Sequence, residues 1–328
     1  MDLQDIGEFE LIRRIRRQVK NSRQVLQGIG DDAAVLRHDK KSHLLLTTDA
    51  LVENVHFRRD WSSPEQIGRK AVEVNVSDIA AMGGLPTAAL VSLILPASTD
   101  PLFVERIYRG IRRRCRHYRI DLVGGNISRG KELSISITLL GRVERDRLCL
   151  RSGAGPDELV CVTGKLGKGQ AGLMLCSSGD MDKDADKAGP FLRPRARLQE
   201  GRAIARFATS LIDISDGLVG ELHRLMDASG VGFLIDAATL PLHPLTKLVD
   251  DDPRRLALFG GDELELLFTI RKKDLRRLKV RSTIIGRTTR ERRISVQGWP
   301  GQEDARTVMD REGYDHFLRR PRSSRTRS

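Results

Sequence analysis

In a chain whose formal charge is +13, the acidic residues carry the information. Asp31 and Asp32 follow Gly30. Asp49 ends a strand candidate at 43–48. Asp78 comes one helical turn after Asn75. Asp213 and Asp216 flank Ile214-Ser215, and Asp262 and Glu263 follow Gly260-Gly261. Carboxylates at strand ends beside glycines suit hard cations, because Mg²⁺ takes oxygen ligands and commonly combines one or two carboxylates with phosphates and waters. Taken singly, each of these aspartates equally suits a helix cap or a turn with glycine. Gathered together without a cation they would repel and raise one another's pKa, and spacing alone does not gather them.

Two further features bear on chemistry. The stretch 163–169, Thr-Gly-Lys-Leu-Gly-Lys-Gly, reads as a flexible turn or an anion cradle at a helix start. It is not a P-loop, because Gln170-Ala171 follow Gly169 where that motif needs Lys and then Ser or Thr. No H-E-x-x-H, nucleophile elbow or H-R-D set occurs, so nothing in the sequence points to a zinc hydrolase, a serine triad or a protein kinase. His56 has no metal-spaced partner and, unaided, reads as structural.

The elements that must position these groups alternate in type. Apolar spacing predicts a helix through Phe9, Ile12, Ile15 and Val19, and helices over 64–82, 100–118 and 196–208. Strands are predicted at 33–36, 43–48, 87–95, 120–123, 133–143, 158–163, 211–214, 232–235, 264–270 and 282–285. Gly83-Gly84 reads as a stop, the strand at 120–123 runs into Gly124-Gly125-Asn126, 180–189 reads as a mobile loop, and the basic tail 319–328 as disordered. The chain has 328 residues, more than one ordinary core accommodates, and 39% are hydrophobic. Two α+β or α/β lobes follow, divided near Arg151.

Composition narrows the partners. No apolar run reaches the ~18 residues of a membrane span, and the N-terminus lacks a basic and apolar leader, so a cytoplasmic protein is expected. Four widely spaced cysteines, Cys115, Cys149, Cys161 and Cys176, read as buried or free thiols in a reducing compartment. The excess of arginine, as in Arg112-Arg113-Arg114, comes with no nucleic-acid-binding motif and reads as solvated surface.

The ordered motifs carry more than any one of them. GIGDDAAVL at 28–36, TTDALVENVHF at 47–57, NVSDIAAMGG at 75–84, VGGNISRG at 123–130 and RSGAGPDE at 151–158 stand in the first half. VTGKLGKGQAGL at 162–173, RPRARLQEG at 193–201, IDISDGL at 212–218, GGDELEL at 260–266 and GYDHF at 313–317 follow. This set resembles the thiamine-monophosphate kinases, within the superfamily that includes aminoimidazole ribonucleotide synthetase.

The resemblance implies a two-lobed α+β fold. Residues 1–150 would form an N-terminal lobe that binds ATP and metal and pairs in a homodimer, 151–318 a C-terminal α+β lobe, and 319–328 a tail. It implies Mg²⁺-assisted, direct in-line transfer of the γ-phosphoryl of ATP to thiamine monophosphate. An anionic phosphate oxygen is the nucleophile, so no general base is expected. Asp32, Thr47, Thr48, Asp49, Asp78, Asp213 and Asp216 match metal positions, with Asn126 standing where the family usually has a metal-binding aspartate. Gly125, Asn126, Arg151 and Ser215 match nucleotide contacts; His56, Asp262 and Tyr314 match substrate contacts. Asp262-Glu263 inverts the family's usual Glu-Asp, and Leu264 replaces an aromatic residue. No membrane or nucleic-acid partner is expected. Two alternatives remain: a selenophosphate or purine-branch synthetase, in which Gly-Gly-Asn is at home, or an inactive relative that binds nucleic acid through its basic surface.

Overall fold

The computed structural model describes residues 2–178, 188–298, 307–309 and 317. Tyr314, most of the loop at 180–189 and the basic tail fall outside them. Two sheets organise the chain. The first contains β1 (Val25–Gln27), β2 (Ala34–Arg37), β3 (Ser42–Val52), β4 (Leu85–Leu95), β5 (Asp121–Arg129) and β6 (Ser134–Glu144), in the order β1-β2-β3-β6-β4-β5. The second contains β7 (Leu159–Thr163), β8 (Ala208–Asp213), β9 (Gly232–Asp236), β10 (Leu266–Ile270), β11 (Ser282–Thr289), β12 (Ile294–Gln297) and β13 (Thr307–Val308), in the order β13-β12-β9-β11-β7-β10-β8. The α+β class and the two-lobed architecture expected from the sequence are what the structure has.

Helix α1 (Leu3–Gln18) precedes the first sheet, and α2 (Pro64–Ala81) and α3 (Pro101–Tyr118) cover one face of it. Helices α4 (Lys168–Ser177), α5 (Leu198–Ile204), α6 (Leu218–Ser229) and α7 (Pro253–Phe259) belong to the second lobe, with shorter helical turns between them. Helix α2 starts at a reciprocal cap. Ser63 Oγ accepts from the Gln66 amide at 3.3 Å, Gln66 Oε1 accepts from the Ser63 amide at 2.7 Å, and Pro64 takes the first turn. It ends at Gly83, whose φ of +68° suits glycine. Between these ends it is buried on nearly every side, Ile67, Val72, Val76 and Ile79 entering the first core, while it also meets α5 and β8 of the other lobe. Polar groups on such a helix are held in the interior.

Three expectations change. Asp49 does not end its strand but lies inside β3, which runs on to Val52 because β6 pairs with it over its whole length. The strand expected at 120–123 does not end at Val123 but runs on through Gly124-Gly125-Asn126 as part of β5. Glycine is needed there for close approach to β4: a Cβ on Gly125 would lie 1.9 Å from the Val91 carbonyl oxygen. The helix expected over 196–208 stops at Ile204, and Ala208 already pairs with Ile270 as the edge strand β8 begins; tertiary pairing overrides helical spacing.

Candidate active site

Strand β3 presents Thr47 and Asp49 towards α2, which brings Asn75 and Asp78. The Asp49 amide donates to Asn75 Oδ1 at 3.1 Å, and Thr47 Oγ1 donates to Asp78 Oδ2 at 2.6 Å. From the second lobe, β8 delivers Asp213 at its end, where Ser77 Oγ of α2 donates to its Oδ2 at 2.5 Å. The loop before β2 supplies Asp31 and Asp32. Oxygens of Asp32, Asp78 and Asp213 all lie within 4.8 Å of one another. Residues 181 positions apart in sequence (213 − 32) thus share one point, where the central helix meets both lobes.

The electrostatics follow from burial. Loss of water raises Asp78 and Asp213 well above the ordinary carboxylate range, and neighbouring carboxylates add to the effect. Burial likewise raises Asp32, lifts Asp31 to about 7, and lifts Asp49 and Asp216 to about 6. Arg151 opposes this: its Nη2 donates to Asp32 Oδ1 at 2.5 Å and its amide to Asp31 Oδ2 at 3.2 Å. At the other side Arg224 pairs with Asp216 and Glu221 and lies over the Phe9 ring, 4.7 Å from its centroid. Glu221 also accepts from Ser215 Oγ and the Asp216 amide. Asp32 Oδ2 is buried and without a hydrogen-bond partner. A set of hard oxygen donors with excess negative charge and an orphaned carboxylate oxygen fits a divalent cation such as Mg²⁺.

The aspartates, with Arg151 and Arg224, line one cavity of about 1040 Å³ between the lobes, with His56, Ser215 and Asp262 on its walls and Phe9 and Arg16 of α1 at its edge. Gly125 and Asn126 are not in that lining. They stand on the exposed edge strand β5, separated from β3 by β6 and β4, and Asn126 Nδ2 donates to Ser128 Oγ at 3.0 Å. At normal strand spacing that is about 14 Å away. Thr48 turns its hydroxyl to the uncovered side of the same sheet, among Ser136 and Thr138.

The glycine-rich stretch does cradle an oxygen acid, but the group it holds is a carboxyl of the protein itself. Glu263, 1% exposed, accepts from the amides of Gly167 and Gly169 at 2.9 and 3.1 Å at the start of α4. Burial raises its pKa to about 8 despite Lys168 nearby. Asp262 faces the cleft instead, so the two acidic residues have separate positions. Sequence reasoning missed Arg224 and Lys70. For Lys70 there was a signal: it falls between Ile67 and Val74, on the apolar stripe of α2.

Residues 30–143 match the AIR synthase related protein N-terminal domain, and 155–298 its C-terminal domain. A thiamine-monophosphate kinase of Aquifex aeolicus is 41% identical over 281 residues, 82% of this chain and 87% of that protein. One of Bacillus subtilis is 34% identical over 95% of this chain and its whole length. The chain belongs to the thiamine-monophosphate kinase family. Among solved structures, AaThiL complexed with AMPPCP and TMP superposes with a TM-score of 0.85 at 37% identity, covering 97% of this chain and 99% of that one. The hydrogenase maturation protein HypE in complex with ATP, at 15% identity and a TM-score of 0.66, shares the fold over 84% of this chain and 87% of its own. Among the described residues no helix is long and apolar enough to cross a membrane, and all four cysteines are buried and free of disulfides.

Proposed function

We propose that this chain is a cytoplasmic kinase that transfers the γ-phosphoryl group of ATP to thiamine monophosphate, forming thiamine diphosphate. The observation that carries the reading is the buried carboxylate cluster, set in a fold shared over 97% of the chain with a relative described as bound to an ATP analogue and TMP. Asp32, Asp78 and Asp213, with Asp49 and Asp216 beside them and the Thr47 hydroxyl, would hold Mg²⁺, which offsets the charge of the phosphates when bound. Thr47 and Ser77 fix the carboxylates by donating to Asp78 and Asp213, so that their oxygens are already aimed. Arg151, Ser215 and Gly125 serve the nucleotide; Arg151 holds Asp32 and would contact a phosphate through its planar fork. His56, Asp262 and Tyr314 serve the acceptor. No side chain need remove a proton, because the acceptor oxygen is already anionic; catalysis reduces to alignment and charge neutralisation.

Residues 1–150 and 151–318 are taken as the two lobes, and the N-terminal lobe as the dimer-forming one. Its sheet leaves one face uncovered, with Leu46, Leu90 and Ile94 at 40, 46 and 41% exposure. A second copy laid there would bury this apolar surface and bring Thr48 and Asn126 of facing sheets closer than one chain allows. Purified protein with ATP and Mg²⁺ should convert thiamine monophosphate to the diphosphate and leave free thiamine almost untouched, since thiamine lacks the acceptor phosphate. Folded protein that forms no diphosphate at high concentration, by chromatography, would refute the reading.

A further inference from the structure

Lys70 is 6% exposed and sits midway along α2, an unusual place for an ammonium group. A buried charge persists only where it is paired and hydrogen-bonded. Lys70 meets that requirement with partners from three separate segments. Its Nζ donates to Asp262 Oδ2 at 2.7 Å and to the His56 backbone carbonyl at 3.1 Å, and it lies 4.7 Å from the centroid of the Phe191 ring. His56 belongs to the first lobe, Asp262 and Phe191 to the second.

Both tethered residues are held by other bonds as well. Asp262 has a φ of +61° and Leu264 one of +50°, left-handed values that few residues other than glycine adopt. Their amides donate to the Ser215 and Ile214 carbonyls, which fixes this loop to the end of β8. His56 Nδ1 accepts from the Val52 amide at 3.0 Å, so a neutral ring carries its proton on Nε2. His56, Asp262 and Phe191 all line the cleft.

We propose that Lys70 is the positioning residue of the acceptor end of the cleft: one ammonium ties the His56 segment of the first lobe to the Asp262 carboxylate of the second, and so sets the separation and charge of the two groups between which the phosphorylated acceptor binds. The inference rests on the kinase reading above. Its energetic content is compensation. With Lys70 present, the Asp262 carboxylate is neutralised on the side away from the cleft; without it, an unpaired carboxylate faces an anionic acceptor. The bonds of Lys70 go to Asp262 and His56 and not to Arg151, Asp32 or Ser215 of the nucleotide end.

The test is a double-mutant cycle on the full chain. Lys70→Met should raise KM for thiamine monophosphate at least tenfold while KM for ATP stays within twofold, and calorimetry without ATP should show the same weakening of thiamine monophosphate binding. In the Asp262→Asn background, adding Lys70→Met should have less than a threefold effect, because the charge it compensates is gone. Lys70→Arg, which keeps the charge but not the point geometry, should fall between wild type and Lys70→Met. It also serves if Lys70→Met fails to fold, a twofold or smaller change in acceptor KM then counting against the proposal. Equal rises in both KM values, or an undiminished effect of Lys70→Met beside Asp262→Asn, would overturn it. If wild-type protein makes no thiamine diphosphate, the kinase reading falls and takes this inference with it; if wild type is active and Lys70→Met is unaltered, only the inference falls.

Discussion

Strand β8 connects two cavities of opposite charge. Near its start, Ala208 and Thr209 line a groove of about 410 Å³ with Arg206, Arg271, Lys273 and Arg277, opposed by Asp274. Its other end delivers Asp213 to the carboxylates of the interlobe cleft. Each cavity crowds like charges, but they differ in solvent. The Arg271 and Arg277 side chains are 60 and 66% exposed, whereas that of Asp32 is 1% exposed and Asp213 is 4% exposed. Two like charges 4 Å apart repel by about 1 kcal/mol in water and about 4 kcal/mol at an effective dielectric of 20. The groove therefore needs no ligand to be stable: water screens it, and Asp274 and Glu158 take up part of the charge. In the cleft burial makes the same crowding costly, and bound protons or a cation must offset it. Clustered charge becomes a binding site only where solvent has been removed.

The largest effect expected from this contrast is at Asp78. Asp78→Asn keeps the acceptor for Thr47 Oγ1 and removes a buried charge. Turnover should fall about 10²-fold or more, equivalent to ~2.7 kcal/mol in the barrier. Without divalent metal, however, the melting temperature should rise, since a costly carboxylate has gone. Steady-state kinetics with a thermal melt in EDTA checks both. Near-normal turnover would place Asp78 with the groove arginines, as charge without a ligand.

The next effect is on pH dependence. Burial holds Asp31 near 7 and Asp49 and Asp216 near 6 in the folded protein, whereas an unfolded aspartate titrates at about 3.9. The folded state thus binds protons more tightly. The stabilisation is fully present below about pH 4 and is lost as pH rises through 6 to 7. Asp39 and Glu144, lowered to about 2 by hydrogen bonds from Lys41 and Arg202 respectively, act in the opposite sense but only at lower pH. In EDTA the melting temperature should fall between pH 4.5 and 7.5; with Mg²⁺ the fall should flatten, because the cation replaces the protons. A melting temperature that climbs with pH in EDTA would break the comparison.

The contrast also marks what was legible in the sequence. Long elements were: the helix at 64–82 and the strand at 87–95 match α2 and β4 within a few residues, because Pro64 and Gly83-Gly84 bound the helix and an apolar run marks the strand. Asp78 and Asn75 were correctly placed on one face of α2 by helical spacing alone. The convergence of Asp32, Asp78 and Asp213 was not readable from spacing, since it depends on how α2 packs between two lobes; it came from the resemblance. The strand at 120–123 is too short because glycine marks close backbone approach as well as strand ends, and only the register of β4 and β5 separates the two. Gly164–Gly169 misled differently: the helix start does hold an acceptor, but nothing local said that the Glu263 carboxyl, about 95 residues later, would be that acceptor.

A smaller effect is expected at Asn126, which is solvated like the groove although the family pattern assigns it to the metal site. An asparagine oxygen can bind Mg²⁺ but brings no charge. If a second copy carries Asn126 to the nucleotide, Asn126→Asp should lower the Mg²⁺ concentration for half-maximal activity about threefold, a fraction of the ~4 kcal/mol for a close pair because the position stays wet. A magnesium titration at fixed ATP and thiamine monophosphate measures it. A raised requirement or lost activity would mean that Asn126 donates its amide N–H there.

The smallest effect is expected in the groove itself, and it tests the other half of the argument. Arg271 approaches Glu158 at 3.7 Å and Arg277 approaches Asp274 at 3.2 Å, both from exposed positions. Exposed pairs of this kind contribute roughly 0–1 kcal/mol. Glu158 keeps its bonds from the Gly155 amide and Thr209 Oγ1 if Arg271 is lost, so no buried carboxylate is orphaned. Arg277 also lies over Phe207, 4.9 Å from the ring centroid, and its removal takes away some of that cover. The double variant Arg271→Gln, Arg277→Gln should therefore shift the melting temperature by no more than about 2 °C, the scale of ~1 kcal/mol for a protein of this size. Its kcat and both KM values should stay within twofold of wild type. Because β8 joins the groove to Asp213, a loss of turnover with unchanged melting would mean that charge at one end of the strand alters the carboxylates at the other. Exposure would then be the wrong criterion for separating the two cavities.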